Sequence, residues 1–227
     1  MTAVDWADAL SEELAFWRRW MTEEEFRQAR EPRLDPELAF PHWMRELIGA
    51  PAGTTLRVLD VGSGPLSTLG VIWPGRTVEL TTCDPLADEY NILLSDCGLA
   101  DRAQVQKATG EALDSVFSAN SFDFVHSANA LDHAYDPLRC VQNMLTVCRP
   151  GGYVAFISVE NEGERQGYEG LHQWNFSVED GAHLRLWNRE RNLMLREHLR
   201  DVGEFVVEHV DHGNGLPVFL ASMRKTV

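Results

Sequence analysis

The residue types most suggestive of chemistry stand in Asp60-Val61-Gly62-Ser63-Gly64, where an apolar segment runs into a glycine-rich turn. Glycines let the backbone approach a ligand closely, and N–H groups at the start of a following helix, which we expect here, can face an anion. Asp84 closes the next apolar segment 24 residues after Asp60. In nucleotide-binding folds, an acidic side chain near this spacing receives a pair of ribose hydroxyls. The pattern therefore predicts a ligand that contains a ribose.

A dinucleotide is disfavoured as that ligand. Its fingerprint, G-x-G-x-x-G, would need a third glycine where Ser67 stands, and the carboxylate of Asp60 would lie where a pyrophosphate binds. A ligand with a cationic end suits the turn better, because a carboxylate can hold an ammonium or face a sulfonium without like-charge repulsion.

Histidines supply the candidate bases, because an imidazole with a pKa of about 6.5 can accept a proton at neutral pH. We rank His133 first, His172 second and His183 third, and we expect His126 to lie in the core or at the end of the sheet. Asp132, His133 and His172 could also form a site with two histidines and one carboxylate for a metal. The sequence does not fix their geometry, and we expect no metal.

Strands alternate with helices in the middle of the chain, which predicts a parallel sheet with a ligand site at its C-terminal edge. The five predicted strands cover residues 56–61, 78–83, 103–107, 122–127 and 153–159, with helices over 86–97 and 137–148. A hairpin over 174–187, a helix over 188–201 and a closing antiparallel hairpin over 205–223 are predicted to follow.

Five arginines lie in or near the predicted hairpin and helix: Arg185, Arg189, Arg191, Arg196 and Arg200. In a helix, Arg189, Arg196 and Arg200 would share roughly one face. The ordinary interpretation is a solvated face with acidic partners. The alternative is a cationic wall that recognises a substrate carboxylate.

The first fifty residues are predicted to be helical and to form a cap. An apolar stripe repeats at alternating steps of three and four over Ala7, Leu10, Leu14, Trp17 and Met21, and a second helix is expected from Asp35-Pro36 to Gly49. Four tryptophans fall in this segment: Trp6, Trp17, Trp20 and Trp43. They are expected to pack the cap onto the main domain, the alternative being an aromatic lid over the substrate.

The chain of 227 residues carries 20 Lys and Arg against 35 Asp and Glu, a formal net charge of −15. That charge disfavours nucleic acid as a partner. No apolar run is long enough to span a membrane and no signal peptide is recognisable, so we expect a cytoplasmic protein without a membrane partner. The four cysteines form no C-x-x-C pair and are expected to be buried thiols.

In these features the chain resembles the class I S-adenosylmethionine-dependent methyltransferases, particularly those acting on small molecules. Residues 60–64 resemble the first motif of that family, and Asp84 resembles the acid after its second strand. Gly110-Glu111-Ala112 resembles the motif at the adenine, residues 121–137 its fourth strand and loop, and Arg149-Pro150-Gly151-Gly152 the turn before strand five.

The resemblance implies a Rossmann-like, doubly wound α/β fold with a seven-stranded, mostly parallel sheet and an antiparallel C-terminal strand. We expect an N-terminal cap over residues 1–50 and a methyltransferase domain over 51–227, with a hairpin insertion after strand five at about 161–187. The resemblance also implies roles for individual residues in binding S-adenosylmethionine, which leaves as S-adenosylhomocysteine. Asp60, Gly62, Ser63 and Gly64 would hold the methionine moiety, Asp84 the ribose, Leu86, Gly110, Glu111 and Ala112 the adenine, and Ser127 would complete the site.

The expected function is methyl transfer to an oxygen or nitrogen of a small-molecule metabolite, such as a natural-product intermediate, with His133 and His172 as the candidate bases. Two alternatives stay open: methylation of a protein or RNA, and a non-catalytic subunit that binds S-adenosylmethionine. The sequence is compatible with a homodimer and identifies neither the acceptor nor its atom.

Overall fold

The computed structural model describes residues 3–102, 104–211, 213 and 215–227. Ala103, the predicted start of the third strand, and Asn214, in the turn of the predicted closing hairpin, lie outside the described residues.

A seven-stranded sheet forms the centre of the molecule. Its strands are β1 (Thr55–Val61), β2 (Thr77–Asp84), β3 (Gln106–Lys107), β4 (Phe122–Ala128), β5 (Cys148–Val159), β9 (Val202–Val210) and β10 (Val218–Lys225). Across the sheet they follow the order β3-β2-β1-β4-β5-β10-β9. β1 pairs in parallel with β2 and β4, β2 with β3, and β4 with β5, whereas β10 is antiparallel to both β5 and β9. The predicted doubly wound fold with an antiparallel C-terminal strand is confirmed.

Helices cover the sheet and leave the C-terminal edge of β1, β2 and β4 open to a cavity. They are α1 (Ala3–Thr22), α2 (Arg27–Leu34), α3 (His42–Ile48), α4 (Ala87–Asp96), α5 (Leu113–Val116), α6 (Pro137–Val147) and α7 (Glu162–Arg165). Short 3-10 turns occupy Glu24–Phe26, Gly110–Ala112, Leu131–His133 and Leu195–His198. None of the helices in the described ranges is long and apolar enough to cross a membrane.

The helix predicted after the first glycine turn is absent from the described residues between β1 and β2. This segment instead runs beside the N-terminal cap, where Ala39 and Ile72 form a parallel bridge. Phe40 N–H donates to the Ile72 carbonyl at 2.9 Å, and a Cβ on Gly70 would lie 2.1 Å from the Leu38 carbonyl oxygen. Pairing of the two segments therefore takes the place of the helix.

The insertion after β5 forms a three-stranded antiparallel sheet of β6 (Asn175–Glu179), β7 (His183–Trp187) and β8 (Asn192–Met194). The predicted hairpin is present, but the prediction of a helix over 188–201 is wrong. The Asn188 carboxamide oxygen accepts the N–H groups of Glu190 at 2.9 Å and Arg191 at 2.8 Å. Such a side-chain bond stabilises a tight turn, which returns the chain as β8.

The N-terminal cap differs from prediction in where its last helix begins. The helix α3 begins at His42 rather than at Asp35-Pro36, because the N–H of Phe40 donates to the Ile72 carbonyl in the bridge described above. It ends where predicted: Gly49 follows it in the left-handed conformation, with φ +59°.

Candidate active site

One cavity lies at the C-terminal edge of β1, β2 and β4, beneath α1. Nine of the ten side chains and glycines predicted to bind the cofactor line it, and Ala112 does not. The nine are Asp60, Gly62, Ser63, Gly64, Asp84, Leu86, Gly110, Glu111 and Ser127. The topology explains why these residues lie together, because parallel strands bring the residues at their carboxyl ends to one edge of the sheet.

The glycine turn after β1 is shaped by close contacts. Gly62 has φ +68°, and a Cβ there would lie 2.4 Å from the Cβ of Ala130. Gly64 has φ +62°, and a Cβ there would lie 2.7 Å from the ring of Trp17. Both positions therefore require glycine, because φ is positive and because a Cβ would clash with its neighbours.

The amide groups of this turn already have protein partners, unlike the free N–H groups predicted. Gly62 and Ser63 N–H donate to the Cys83 carbonyl at 2.8 and 3.2 Å, and Gly64 N–H donates to Asp84 Oδ2 at 3.1 Å. The turn consequently offers a ligand its carbonyl oxygens and Cα surfaces rather than amide hydrogens.

Asp60, at the floor of the cavity, is buried and held from two sides. His126 Nδ1 lies 2.8 Å from Asp60 Oδ1, and the Ser67 hydroxyl donates to Asp60 Oδ2 at 2.5 Å. His126 is buried as predicted, although its Nε2 has no hydrogen-bond partner among the described residues. The carboxylate is thus fixed in place.

Asp84 ends β2 with both carboxylate oxygens in the cavity wall. Oδ1 accepts Leu86 N–H at 3.0 Å and Oδ2 accepts Gly64 N–H at 3.1 Å. Burial raises the pKa of Asp84 from 3.8 to about 7, against the lowering effect of these two hydrogen bonds. Each carboxylate oxygen has two acceptor sites, so each keeps one for a ligand hydroxyl.

Glu111, in the 3-10 turn Gly110–Ala112, makes a hydrogen bond to the start of α6. Its Oε1 accepts the N–H of Asp136 at 3.0 Å, which ties the turn to the start of α6. Gly110 is pressed against the same helix, since a Cβ there would lie 2.6 Å from Cys140 Sγ. The turn therefore has a fixed position at the cavity wall.

Ser127 contributes an unusual feature at the end of β4. It is 1% exposed, and its hydroxyl has no hydrogen-bond partner among the described residues, although it lines the cavity. A buried hydroxyl without a partner is costly. A polar ligand atom in the cavity would remove that cost.

The N-terminal cap contributes one face of α1 to the cavity: Trp6, Leu10, Glu13 and Trp17. Trp17 Nε1 donates to Glu13 Oε1 at 2.7 Å, and Trp6 Nε1 donates to the His133 carbonyl at 2.8 Å. Trp20 instead packs in the core with Leu66 and Leu94. The two interpretations of the N-terminal tryptophans thus apply to different residues: some cover the cavity and others pack the cap.

Arg33, on α2, is the one arginine or lysine among the described residues that line the cavity. Its guanidinium donates to the Leu66 carbonyl at 3.0 Å and lies 4.9 Å from the ring centroid of Trp20. Burial lowers the pKa of Arg33, and the charge of Asp60 acts in the opposite direction. Neither Arg33 nor Glu13 was among the predicted site residues; both become visible only once the cap is placed over the sheet.

His133 and His172 meet at the rim together with Asp132. His172 Nδ1 lies 2.8 Å from Asp132 Oδ2 and 3.1 Å from His133 Nε2. Burial acts to lower the pKa of His172, but the hydrogen bond and charge of Asp132 outweigh it, so that pKa is raised. Burial acts to raise the pKa of Asp132, and the two histidines bring it below its usual value. His183 lies apart, exposed at the start of β7.

The five arginines in and near the predicted hairpin do not form a wall at the cavity, and none of them lines it. Arg185 pairs with Asn192 at 2.8 Å, and Arg191 lies 3.5 Å from Asp136. Arg189 stacks 4.2 Å from the ring centroid of Tyr168, and Arg196 donates to the Val202 carbonyl at 2.8 Å. With no helix here, the shared face predicted for three of them does not exist.

Comparison with protein families gives a match to the methyltransferase domain over residues 22–203, which is most of the chain. Among individual proteins, tocopherol O-methyltransferase of Arabidopsis thaliana is 28% identical over 127 residues, covering 55% of this chain and 36% of that protein. An uncharacterized protein of Mycobacterium tuberculosis is 37% identical over 114 residues, covering 49% and 40%. The chain thus spans about two fifths of the length of the relatives it matches.

Two solved structures share the fold at low sequence identity. One is the 1,6-didemethyltoxoflavin-N1-methyltransferase of Burkholderia thailandensis, crystallised with 1,6-didemethyltoxoflavin and S-adenosylhomocysteine; it has a TM-score of 0.54 and 16% identity, over 100% of this chain and 92% of that one. The other is the CurJ carbon methyltransferase, with a TM-score of 0.56 and 14% identity, over 82% of this chain and 52% of that one.

Proposed function

Because the chain belongs to the methyltransferase domain family, we propose that its cavity binds S-adenosylmethionine and that the protein transfers the methyl group to an oxygen or nitrogen of a small molecule. The resemblance to the class I methyltransferases is confirmed by this membership and by the fold. When bound, the cofactor supplies a methyl group already activated by a sulfonium charge. The residues of this chain then have to bind it, orient the acceptor and manage the acceptor's proton.

Asp84 carries the proposal. One acceptor site is left on each of its two oxygens, as a pair of adjacent ribose hydroxyls requires, and Gly64 N–H fixes the carboxylate beside the glycine turn. Hydroxyl donors stabilise the ionised form of a buried carboxylate. Binding of a ribose would therefore offset the burial that raises the pKa of Asp84 to about 7.

We assign the amino-acid end of the cofactor to the part of the cavity beside the glycine turn and Arg33. The carbonyl oxygens of Gly62 and Ser63 line this part of the cavity and can accept from an ammonium, and Asp60 adds negative charge nearby. Arg33 supplies the matching cation for a carboxylate, which a guanidinium can bind through two parallel hydrogen bonds.

The adenine is assigned to the apolar and backbone groups around Leu86 and Gly110, both of which line the cavity. Glu111 already accepts Asp136 N–H, so its contact with adenine would use its remaining acceptor sites. Ala112 stays a prediction as an adenine contact, and Ser127 offers its unpartnered hydroxyl to the ligand.

The acceptor is assigned to the side of the cavity beneath α1. Trp6, Leu10 and Leu171 give that side an apolar and partly aromatic surface, which suits a small, flat molecule. Holding such an acceptor in line with the methyl group can supply about 7–11 kcal/mol of the acceleration when the geometry is ideal.

Activation of the acceptor is assigned to His133 and His172. A hydroxyl acceptor must lose its proton in the reaction, and imidazole nitrogens at the rim can take it directly or lower its pKa through an ion that they hold. His133 lines the cavity itself, and His172 contacts it from the rim at 3.1 Å.

A screen with S-adenosylmethionine labelled in its methyl group tests the reaction. The panel should contain phenols, catechols, aromatic amines and aromatic carboxylates, together with total RNA and total protein from a bacterial lysate. We expect the label to enter at least one phenol or aromatic amine of the panel. Label that enters only RNA or only protein would contradict the small-molecule assignment.

A further inference from the structure

We propose that Asp132, His133 and His172 form a binding site for one divalent transition-metal ion at the rim of the cavity. The proposal deepens the proposed function, on which its role in activating the acceptor rests; the binding of the ion itself does not depend on that function. It rests on the positions of three atoms: Asp132 Oδ2, His133 Nε2 and His172 Nδ1.

The three atoms lie close together at the rim of the cavity. The distances between them are 2.8 Å from Asp132 Oδ2 to His172 Nδ1, 3.1 Å from His172 Nδ1 to His133 Nε2, and 3.5 Å from His133 Nε2 to Asp132 Oδ2. Each residue can offer a lone pair there, and together they form a compact triangle of potential metal ligands.

A single proton on His172 Nδ1 cannot satisfy both of its neighbours in this triangle. If His172 Nδ1 carries a proton, that proton can be aligned with Asp132 or with His133 but not with both, because the two directions diverge by roughly 70°. If His172 Nδ1 carries none, its lone pair faces the carboxylate at 2.8 Å, which is repulsive. A cation between the three atoms would satisfy all of them at once.

The distances between the three atoms suit ligands of a single metal ion. Transition metals bind nitrogen and oxygen at about 2.0–2.2 Å, so two ligands of one ion are about 3.0 Å apart at right angles and about 3.4 Å apart in a tetrahedron. The observed range of 2.8–3.5 Å agrees with these values.

The burial of the three residues leaves room for further ligands. The Asp132 side chain is 2% exposed, whereas those of His133 and His172 are 20% and 31% exposed. The ion would therefore have the carboxylate on its buried side and open positions toward the rim, where His133 already borders the cavity. Open positions of this kind allow substrate binding.

The surroundings of His133 support its role as a ligand. Its other ring nitrogen, Nδ1, lies 4.0 Å from Glu13 Oε2, and its carbonyl is held by Trp6. At 4.0 Å the carboxylate is too far for a hydrogen bond, but its negative charge favours a cation bound at Nε2 of the same ring. Here that carboxylate comes from α1, so the cap contributes to the site.

The donor set selects the kind of ion. Two imidazoles and one carboxylate suit Fe²⁺, Co²⁺, Ni²⁺ or Zn²⁺, whereas Mg²⁺ and Ca²⁺ prefer oxygen ligands alone. In the proposed reaction, a hydroxyl acceptor would replace a water on the ion and release its proton to solvent, leaving an oxygen anion bound to the metal. The ion lowers the pKa of the bound hydroxyl and is neither oxidised nor reduced.

Titration with Co²⁺ and Zn²⁺ tests the site in the full chain after treatment with a chelator. We expect one equivalent of each to bind, with visible absorption bands for Co²⁺, and much weaker binding of Mg²⁺. His172→Ala should weaken Zn²⁺ binding at least 100-fold, and Asp132→Asn should do the same if that variant folds. His209→Ala is the matched control, because its imidazole lies 2.6 Å from Glu160 at the surface without a third ligand among the described residues; its affinity should equal that of the unmodified protein.

The proposal is wrong if the folded protein binds neither ion at micromolar concentrations, or if His172→Ala binds Zn²⁺ as tightly as His209→Ala does. S-adenosylmethionine should be titrated into the same samples. Binding of the cofactor by a protein that takes up neither ion would overturn the metal site and leave the proposed function standing, whereas metal binding without the cofactor would do the reverse.

Discussion

His126 Nδ1 lies 2.8 Å from Asp60 Oδ1, and both side chains are buried where β4 pairs with β1 beneath the cavity. The contact fixes the acid of the glycine turn by means of a strand 66 residues further along the chain. Removing one partner of a buried polar pair is costly, because the other is left without compensation.

His126→Phe should therefore lower the free energy of unfolding by about 2–4 kcal/mol, since Asp60 would keep only the Ser67 hydroxyl. Urea denaturation measures the change. His209→Ala removes an exposed imidazole from Glu160, which keeps the Val178 N–H as a partner, and should cost less than about 1 kcal/mol. Equal losses in the two variants would show that the buried pair has no special contribution.

Asp84 predicts a pH dependence of stability in the protein without cofactor. Its pKa is raised to about 7 by burial, against 3.8 for the ordinary carboxyl group, so the folded state retains a proton that the unfolded state loses. Stability contributed by this group is complete below about pH 4 and is lost as the pH rises to about 7.

Asp84→Asn removes that dependence. Relative to the unmodified protein, the variant should gain stability steadily between about pH 4 and pH 7, by at most about 4 kcal/mol, and the difference should then level off. Urea denaturation at several pH values measures it. A difference that stays constant over this range would contradict the raised pKa.

Gly64→Ala separates the close approach of Trp17 from the cost of a positive φ. Gly98 provides the control, because it has φ +74° and a Cβ added there would have nothing within 4 Å, whereas a Cβ on Gly64 would meet the Trp17 ring at 2.7 Å. Gly98→Ala should cost about 1–2 kcal/mol from backbone strain alone. Gly64→Ala should cost at least about 1 kcal/mol more. Equal costs by urea denaturation would show that α1 moves freely away from the turn.

Arg33→Ala should weaken binding of S-adenosylmethionine about 10- to 100-fold, since a bidentate contact with a carboxylate would be lost. Binding of 5′-methylthioadenosine, which lacks the amino-acid end, should be unchanged. Arg27→Ala is the control, because that arginine is exposed and pairs with Glu24 and Glu31. Equal weakening of both ligands by Arg33→Ala would place its effect on the shape of the cavity rather than on the carboxylate.

The strand pattern and the cofactor motifs were predictable because they are local. Asp60, Asp84 and Ser127 each lie at or near the end of an apolar strand, and parallel pairing then brings them to one edge. The closing antiparallel hairpin was predictable in the same way, from two apolar segments on either side of a glycine-containing turn.

Features that depend on long-range packing were not predictable. The helix after β1 is replaced by pairing with residues near Phe40, and the helix over 188–201 gives way to a turn fixed by Asn188. Glu13 and Arg33 belong to helices whose sequence shows only an apolar stripe and scattered charges. Their role depends on how the cap lies over the sheet, which no local pattern encodes.

Isothermal titration of the full chain with S-adenosylmethionine tests the central claim most directly, alongside Asp84→Ala and the control Asp88→Ala, whose exposed carboxylate pairs with Lys107. We predict one binding site per chain, an affinity at least ten-fold weaker in Asp84→Ala, and no change in Asp88→Ala. Absence of binding by a sample that circular dichroism shows to be folded, or equal affinities in all three proteins, would contradict the account.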